Sequence, residues 1–309
     1  MSHLNDYANN YIRTGEPPIS YITNLEKPEK SYPKLEQLKI LKQKQVDQYA
    51  TKSFGARVST EDIVPTLNRW VSEEVKFDVV MVGALVENHF IETLLQTLPV
   101  ARLLARPGYF FVWATTKQIE TLTKVLQQPN FAGKFRRSEE LAFLPLNQSS
   151  PYYPHFENLS SDNTLQHTHW HCWMCITGTV RRRDHHHLIH CNVDTDLQIE
   201  STFEGGCVPE AIYKLIENFS NSTRRLHIIP TPVGSDRHVK MRRGWVMMGP
   251  DVMLDNFTST TYLKEIKKHS QVKEAGATTG SGKQTYFLVP MTPEIETLRP
   301  KSPSLEIRR

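Results

Sequence analysis

The stretch Phe77-Asp78-Val79-Val80-Met81-Val82 decides the fold. It is a nearly continuous apolar run rich in β-branched residues, the pattern of a strand buried on both faces. Outward from it the sequence alternates between two periods. Upstream, Val64-Pro65 opens a helical stretch through Trp70, with proline near the first turn, where a missing N–H costs little. Downstream, Ile91 to Leu98 reads as a helix, Pro107-Gly108 as a turn and Tyr109-Phe110-Phe111-Val112-Trp113 as a second buried strand. Ile119, Leu122, Val125 and Leu126 place an apolar stripe on a further helix that Pro129 stops. Ser138–Leu144, Trp173–Val180, Leu188–Val193, Arg225–Ile229 and Trp245–Met248 are strand candidates. Pro209–Phe219 reads as a helix with Ile212, Leu215, Ile216 and Phe219 on one face. Strands alternating with helices of this length predict parallel βαβ units, and the later crowd of strands predicts a mixed edge.

The flanks differ. Met1 to about Pro33 is polar and without period, an extended arm that orders on a partner or on the main domain. Leu35, Leu38, Leu41, Val46 and Tyr49 then recur at near-helical spacing and predict one amphipathic helix packed on the main domain. Asn147–His169 and Gln271–Gln284 are polar and aperiodic, either functional lids or disordered segments. The expected division is arm and helix over 1–55, a main domain over 56–300 and a short basic tail over 301–309.

Composition narrows the class. The 309 residues include 39% hydrophobic side chains, enough to exclude a wholly disordered chain, and their formal net charge is only +4. The longest strongly apolar run, Phe77–Val86, is far shorter than the roughly 20 residues that span a bilayer. Met1–Ser20 has no apolar core followed by a small-residue cleavage site, and four cysteines make no disulfide framework. An intracellular protein in a reducing compartment is the expectation.

Several chemical motifs fail on spacing. Gly280–Lys283 lacks the first glycine of a phosphate-binding loop, since Ala277 stands there, and Gln284 replaces the hydroxyl residue. Nowhere does a strand lead into a dinucleotide-binding glycine fingerprint. His169, His171, Cys172 and Cys175, followed by His185, His186, His187, His190 and Cys191, resemble zinc ligands in type. Yet Cys172 and Cys175 sit in an apolar strand, where residues three apart point to opposite faces, so buried thiols are expected and no metal. Positive charge is clustered: Arg136-Arg137, Arg181-Arg182-Arg183, Arg224-Arg225 and Arg242-Arg243 all adjoin predicted strand ends, with Arg237 and Lys240 near the last. Gathered at one sheet edge they would attract phosphate; singly, each reads as solvated charge or as partner to Asp194, Asp196, Glu139 or Glu140.

At His171 to Glu200 the sequence becomes recognisable. His171-Cys172-Trp173-Met174, Gly178-Thr179-Val180-Arg181-Arg182 and Leu188-Ile189-His190-Cys191-Asn192-Val193-Asp194-Thr195-Asp196 resemble the RNA N6-adenosine methyltransferase family. The agreement extends to Phe135–Glu140, Arg224-Arg225-Leu226-His227, Arg243-Gly244-Trp245 and Ile295–Pro303. Its non-catalytic, karyogamy-linked members are the most similar. The resemblance implies a Rossmann-like class I methyltransferase fold, an α/β architecture with a central, mostly parallel sheet, helices on both faces and an N-terminal helical extension.

Active members of that family carry Asp-Pro-Pro-Trp after the strand matching Phe77–Val82. A carboxylate and a carbonyl there hold the target amine, and the aromatic ring stacks on adenine, so geometry supplies much of the rate. Here the loop reads Gly83-Ala84-Leu85-Val86, without carboxylate, ring constraint or platform. Pro230 and Pro232 also remove two backbone donors where the methyl donor's ribose is contacted. The resemblance therefore implies a pseudo-methyltransferase with no catalytic residue and no cofactor. Residues matching Arg136, Arg137, Arg181 and Arg182 lie, in the related subunit, on or near the surface that holds RNA, with Asp196 ordering it. Arg182 is the leading single candidate, since guanidinium pairs with phosphate in two-pronged geometry. Arg183, Arg224, Arg225 and Arg243 complete the expected nucleic-acid or partner surface. The family's Arg-Gly-rich tail has no counterpart before Arg309, and weak independent RNA affinity is expected.

The implied partners are a catalytic methyltransferase paralogue, other subunits of a nuclear mRNA methylation complex in meiosis, RNA held through that complex, and a pheromone-responsive DNA-binding transcription factor at mating genes. Two alternatives stay open: an active S-adenosylmethionine-dependent adenine methyltransferase with a rebuilt site, and a stand-alone nucleic-acid-binding protein.

Overall fold

The run Phe77–Val82 is a strand in which every residue is buried. The computed structural model describes residues 33–147, 149–153, 169–178, 196–200, 205–275 and 284–298. In chain order the elements are α1 Pro33–Tyr49, β1 Phe54–Arg57, α2 Ile63–Ser72, β2 Phe77–Val82, α3 Ile91–Thr97, α4 Val100–Leu103, β3 Leu104–Thr115, α5 Ile119–Leu126 and β4 Phe135–Leu144. There follow β5 Trp170–Thr177, β6 Leu197–Ile199, α6 Glu210–Phe219, β7 Arg225–Ile228, β8 Val246–Gly249, α7 Ser259–His269, β9 Gln271–Ala275, β10 Gln284–Leu288 and α8 Pro293–Leu298.

The described strands form an 8-stranded sheet in the order β1-β8-β7-β2-β3-β5-β4-β6, with β9 and β10 as a separate antiparallel pair. The first five in that order run parallel. β5 is antiparallel to both β3 and β4, and β6 pairs in parallel with β4, so the mixed edge lies where the later strands accumulate. Alternation then sorts the core. Val80 and Val82 of β2, with Phe110 and Val112 of β3, enter one cluster beneath α2, α3, α5 and α7. Val79, Met81, Tyr109 and Phe111 enter the other, beneath Ile212, Leu215, Ile216 and Phe219 of α6. Both faces are thus covered, which is why β2 reads as an apolar run broken only by Asp78. Each such fully buried side chain stabilises by roughly 1.5–3 kcal/mol.

Gly55 marks a close approach: a Cβ there would lie 2.1 Å from the Leu254 carbonyl oxygen. Without one, Asn256 and Phe257 both donate backbone N–H to the Gly55 carbonyl at 3.0 Å, clamping the segment that leads into α7.

α1 packs on the main domain. Leu38 meets Ile295 of α8, with Leu41, Met291 and Leu298 around them. The helix also buries Lys42 and Gln45, which its apolar spacing does not predict. Lys42 Nζ donates to Gln45 Oε1 at 2.7 Å and to Asn221 Oδ1, and Gln45 Nε2 donates to the Pro290 carbonyl at 2.6 Å.

Some expectations are corrected. Within the stretch expected as a loop, Gln271–Ala275 is the strand β9 and Gln284 begins β10, paired in register from Gln271↔Leu288 to Gln284↔Ala275, while 276–283 lie outside the described residues. Tyr286 and Leu288 form their own small buried cluster, too little apolar surface to show a period. β1 is too short to stand out, and α7 buries only Tyr262 and Ile266. The strand expected at Leu188–Val193, the arm over 1–32 and the stretch 154–168 lie outside the described residues. Among the described residues no helix is long and apolar enough to cross a membrane.

Candidate functional site

β2 ends at the loop Gly83–Val86, and the chain folds that loop inward. Gly83 has φ +93°, a left-handed conformation natural to glycine, and a Cβ there would meet Trp113 Cβ at 3.1 Å. Ala84 and Leu85 are 3% and 0% exposed and belong to the α6-side cluster. The backbone is tied at each step. Gly83 N–H donates to the Ile228 carbonyl at 2.9 Å, and Leu85 N–H to the Cys207 carbonyl at 3.0 Å.

The loop carbonyls are held as well. His227 Nε2 lies 2.7 Å from the Gly83 carbonyl oxygen, and its Nδ1 lies 2.8 Å from the Tyr213 hydroxyl. A carbonyl can only accept, so Nε2 carries the proton, and Nδ1 accepts from Tyr213. Burial pulls the His227 pKa down to about 4, so the ring is neutral as this arrangement requires. Arg237 Nη1 donates to the Leu85 carbonyl. Burial also pushes the Tyr213 hydroxyl well above its ordinary value and the Cys207 thiol up to about 12, leaving neither poised as a base or nucleophile. Below them Glu217 accepts from Trp245 Nε1 at 2.8 Å and from Arg242 at 2.6 and 2.7 Å. The loop is therefore a hydrogen-bonded corner: none of its three side chains offers a carboxylate, and the Gly83 and Leu85 carbonyls are in use. His227 and Arg237 lie 144 and 152 residues from their loop partners, so no local pattern could have shown them there.

The basic residues divide. Arg136 and Arg137 are exposed on β4, and the Arg137 guanidinium lies over the Trp173 ring at 4.5 Å. Asp196 is exposed alongside the same strand, its carbonyl accepting from Ala142 N–H at 2.8 Å. Burial first, then the Asp196 charge, raises the Glu139 carboxyl, and burial raises Asp196 itself. His171 Nδ1 meets Glu140 Oε1 at 2.5 Å and its Nε2 meets Thr116 Oγ1 at 2.9 Å. The surface is thus mixed in sign. Arg181, Arg182 and Arg183 lie outside the described residues.

Arg224 and Arg225 are corrected: they are 5% and 1% exposed and cannot belong to a surface. Arg224 forks onto Asp78, Nε to Oδ2 at 2.6 Å and Nη2 to Oδ1 at 2.7 Å. Ser222 Oγ also donates to that carboxylate. Asp78 stands in the buried strand β2, and a buried carboxylate demands such a partner. Arg242 is likewise a structural ligand of Glu217. Arg243 is exposed and donates to the Ala50 carbonyl at 3.1 Å. It adjoins β8, and β7, β2, β3 and β5 separate that strand from β4. Among the described residues the arginines therefore do not gather at one sheet edge.

Cys172 and Cys175 enter opposite clusters of the sheet, the geometry that their spacing predicts. Burial raises both thiols, Cys175 to about 12. Among the described residues no three His, Cys, Asp or Glu side chains gather as metal ligands, while His185–Cys191 lie outside them.

A parallel sheet core covered by helices on both faces, with an antiparallel turn toward one edge, defines a class I methyltransferase-like fold. The MT-A70 family pattern matches residues 69–251, and the chain belongs to that family. It is 48% identical over 303 residues to the karyogamy protein KAR4 of Saccharomyces cerevisiae, covering 97% of this chain and 85% of that protein. It is 29% identical over 326 residues to the N(6)-adenosine-methyltransferase non-catalytic subunit METTL14 of Drosophila melanogaster, covering 97% of this chain and 72% of the relative. The non-catalytic subunit MTB of Arabidopsis thaliana is 28% identical over 216 residues, 63% of this chain and 26% of MTB.

Proposed function

We propose that this chain is a non-catalytic MT-A70 subunit: a methyltransferase fold that works by contact, pairing with a catalytic paralogue in a nuclear mRNA N6-adenosine methylation complex. What supports this most is the corner at Gly83–Val86. An amine to be methylated needs an acceptor and a flat platform held in place. Where active relatives present Asp-Pro-Pro-Trp, this chain presents a glycine and three aliphatic side chains with neither, and the Gly83 and Leu85 carbonyls already accept from His227 and Arg237. The relatives in fly and thale cress, both non-catalytic subunits, agree with that reading. Arg136, Arg137 and Asp196, with Arg181, Arg182 and Arg183, form the RNA- or partner-facing surface in this proposal, and Arg243 a separate contact. The test is co-expression with the catalytic paralogue: a stable heterodimer with methyl transfer, against none from this chain alone.

A second role rests on the likeness to the karyogamy protein over 97% of the chain. As a co-regulator of mating and meiotic genes the protein would accompany a pheromone-responsive DNA-binding factor to its promoters. Chromatin occupancy that disappears with that factor, and persists without the methyltransferase paralogue, is the expected result.

A further inference from the structure

On the sheet face opposite the Ala84–Leu85 cluster, α2 and α7 enclose a groove of about 930 Å³. Its floor is apolar, formed by Trp70, Phe257 and Leu263. The Trp70 and Phe257 rings lie 4.0 Å apart at 33°, and each also packs on a further buried ring, Phe77 or Tyr262. Trp70 is only 2% exposed and backs the floor, whose accessible apolar surface comes from the half-buried Phe257 and Leu263.

The rim is cationic: Arg69 from α2, Lys264 and Lys267 from α7. Leu263, Lys264 and Lys267 share one helix face, and two lysines three residues apart repel each other. Elsewhere on the helices such charges are neutralised one turn away, as in Lys124–Glu120, Lys214–Glu210 and His269–Glu265. Among the described residues no carboxylate pairs with Arg69, Lys264 or Lys267. Glu73, one turn beyond Arg69, instead accepts from the Ser259 hydroxyl.

We propose that this groove docks an acidic segment of a partner protein, one that carries leucine or phenylalanine among its carboxylates. Such a segment presents both kinds of side chain within one turn, carboxylates to the rim and an apolar anchor to the floor. A single-stranded nucleic acid is the poorer match. Its bases need an open aromatic face, and the rings here are packed against one another.

Selection of random phage-displayed peptides on the full chain tests the proposal. The expected yield is enriched in Asp and Glu interspersed with Leu and Phe, and the double variant Lys264→Glu, Lys267→Glu binds those peptides at least about tenfold more weakly. Both lysines are exposed, and thermal unfolding of the variant should match the parent. A selection without acidic enrichment, or one whose peptides bind the variant equally, overturns it. Loss of affinity for a labelled oligouridylate in that variant, without peptide enrichment, would reassign the groove to RNA and overturn it too.

Discussion

His227 donates its Nε2 proton to the Gly83 carbonyl across 2.7 Å, so the loop that follows β2 is pinned to the neighbouring strand β7. Protonation would leave that bond in place but turn Nδ1 into a donor, so the bond it accepts from the Tyr213 hydroxyl needs the neutral ring.

Acid should therefore weaken the fold through this ring. The His227 pKa is about 4 in the folded chain, below its ordinary value of 6.5, because burial disfavours the charge. A depressed histidine pKa means that the unfolded chain binds the extra proton first. Its contribution is complete above pH 6.5 and is lost as pH falls toward 4, a change of about 3 kcal/mol at most. Urea unfolding midpoints across this window should fall in the parent and flatten in His227→Gln, whose amide can mimic both hydrogen bonds.

Restoring the family's catalytic sequence should not restore catalysis. Gly83→Asp places a side chain at φ +93° against Trp113, and Leu85→Pro removes the N–H that donates to the Cys207 carbonyl. With Ala84→Pro and Val86→Trp added, the quadruple variant is expected to lose about 2–5 kcal/mol of stability and to gain no methyl transfer. Chemical denaturation and a labelled-methyl assay check both.

Asp78→Ala should be far more damaging than its position near a strand start suggests. It strands the Arg224 guanidinium inside the protein, at a cost of about 3–5 kcal/mol. Asp78→Ala with Arg224→Met should recover a good part of it, a coupling that a double-mutant cycle by urea unfolding measures.

Charge reversal at Arg136 and Arg137 should separate binding from folding. Both are exposed, and only the Arg137 stack on Trp173 is lost, so stability should change by about 1 kcal/mol or less. RNA affinity of the complex with the catalytic paralogue should fall about tenfold and its salt dependence should become shallower. Fluorescence anisotropy at several salt concentrations reads both.

What could be read in advance follows from how strongly each feature marks the chain. β2 and β3 are buried on both faces, so apolar residues follow one another and the strands declare themselves. The same logic placed Cys172 and Cys175 on opposite faces of β5. Arg224 and Arg225 misled because a charged side chain does not announce its burial. The signal lay 146 residues away, in Asp78, a carboxylate inside an apolar run that had to be answered by a cation. β1 and the pair β9–β10 are short or polar and depend on neighbours for their conformation. The Gly83 loop was legible as lost chemistry, while its capture by His227 and Arg237 was not, since long-range contacts leave no spacing to read.

Methyl transfer from labelled S-adenosylmethionine to an adenosine-containing oligoribonucleotide is the most direct measurement, made with the purified chain and again with the catalytic paralogue added. The chain alone should transfer nothing above background, and the pair should transfer methyl readily. Turnover by the chain free of its paralogue, abolished by substitution in Gly83–Val86, would contradict the non-catalytic reading outright.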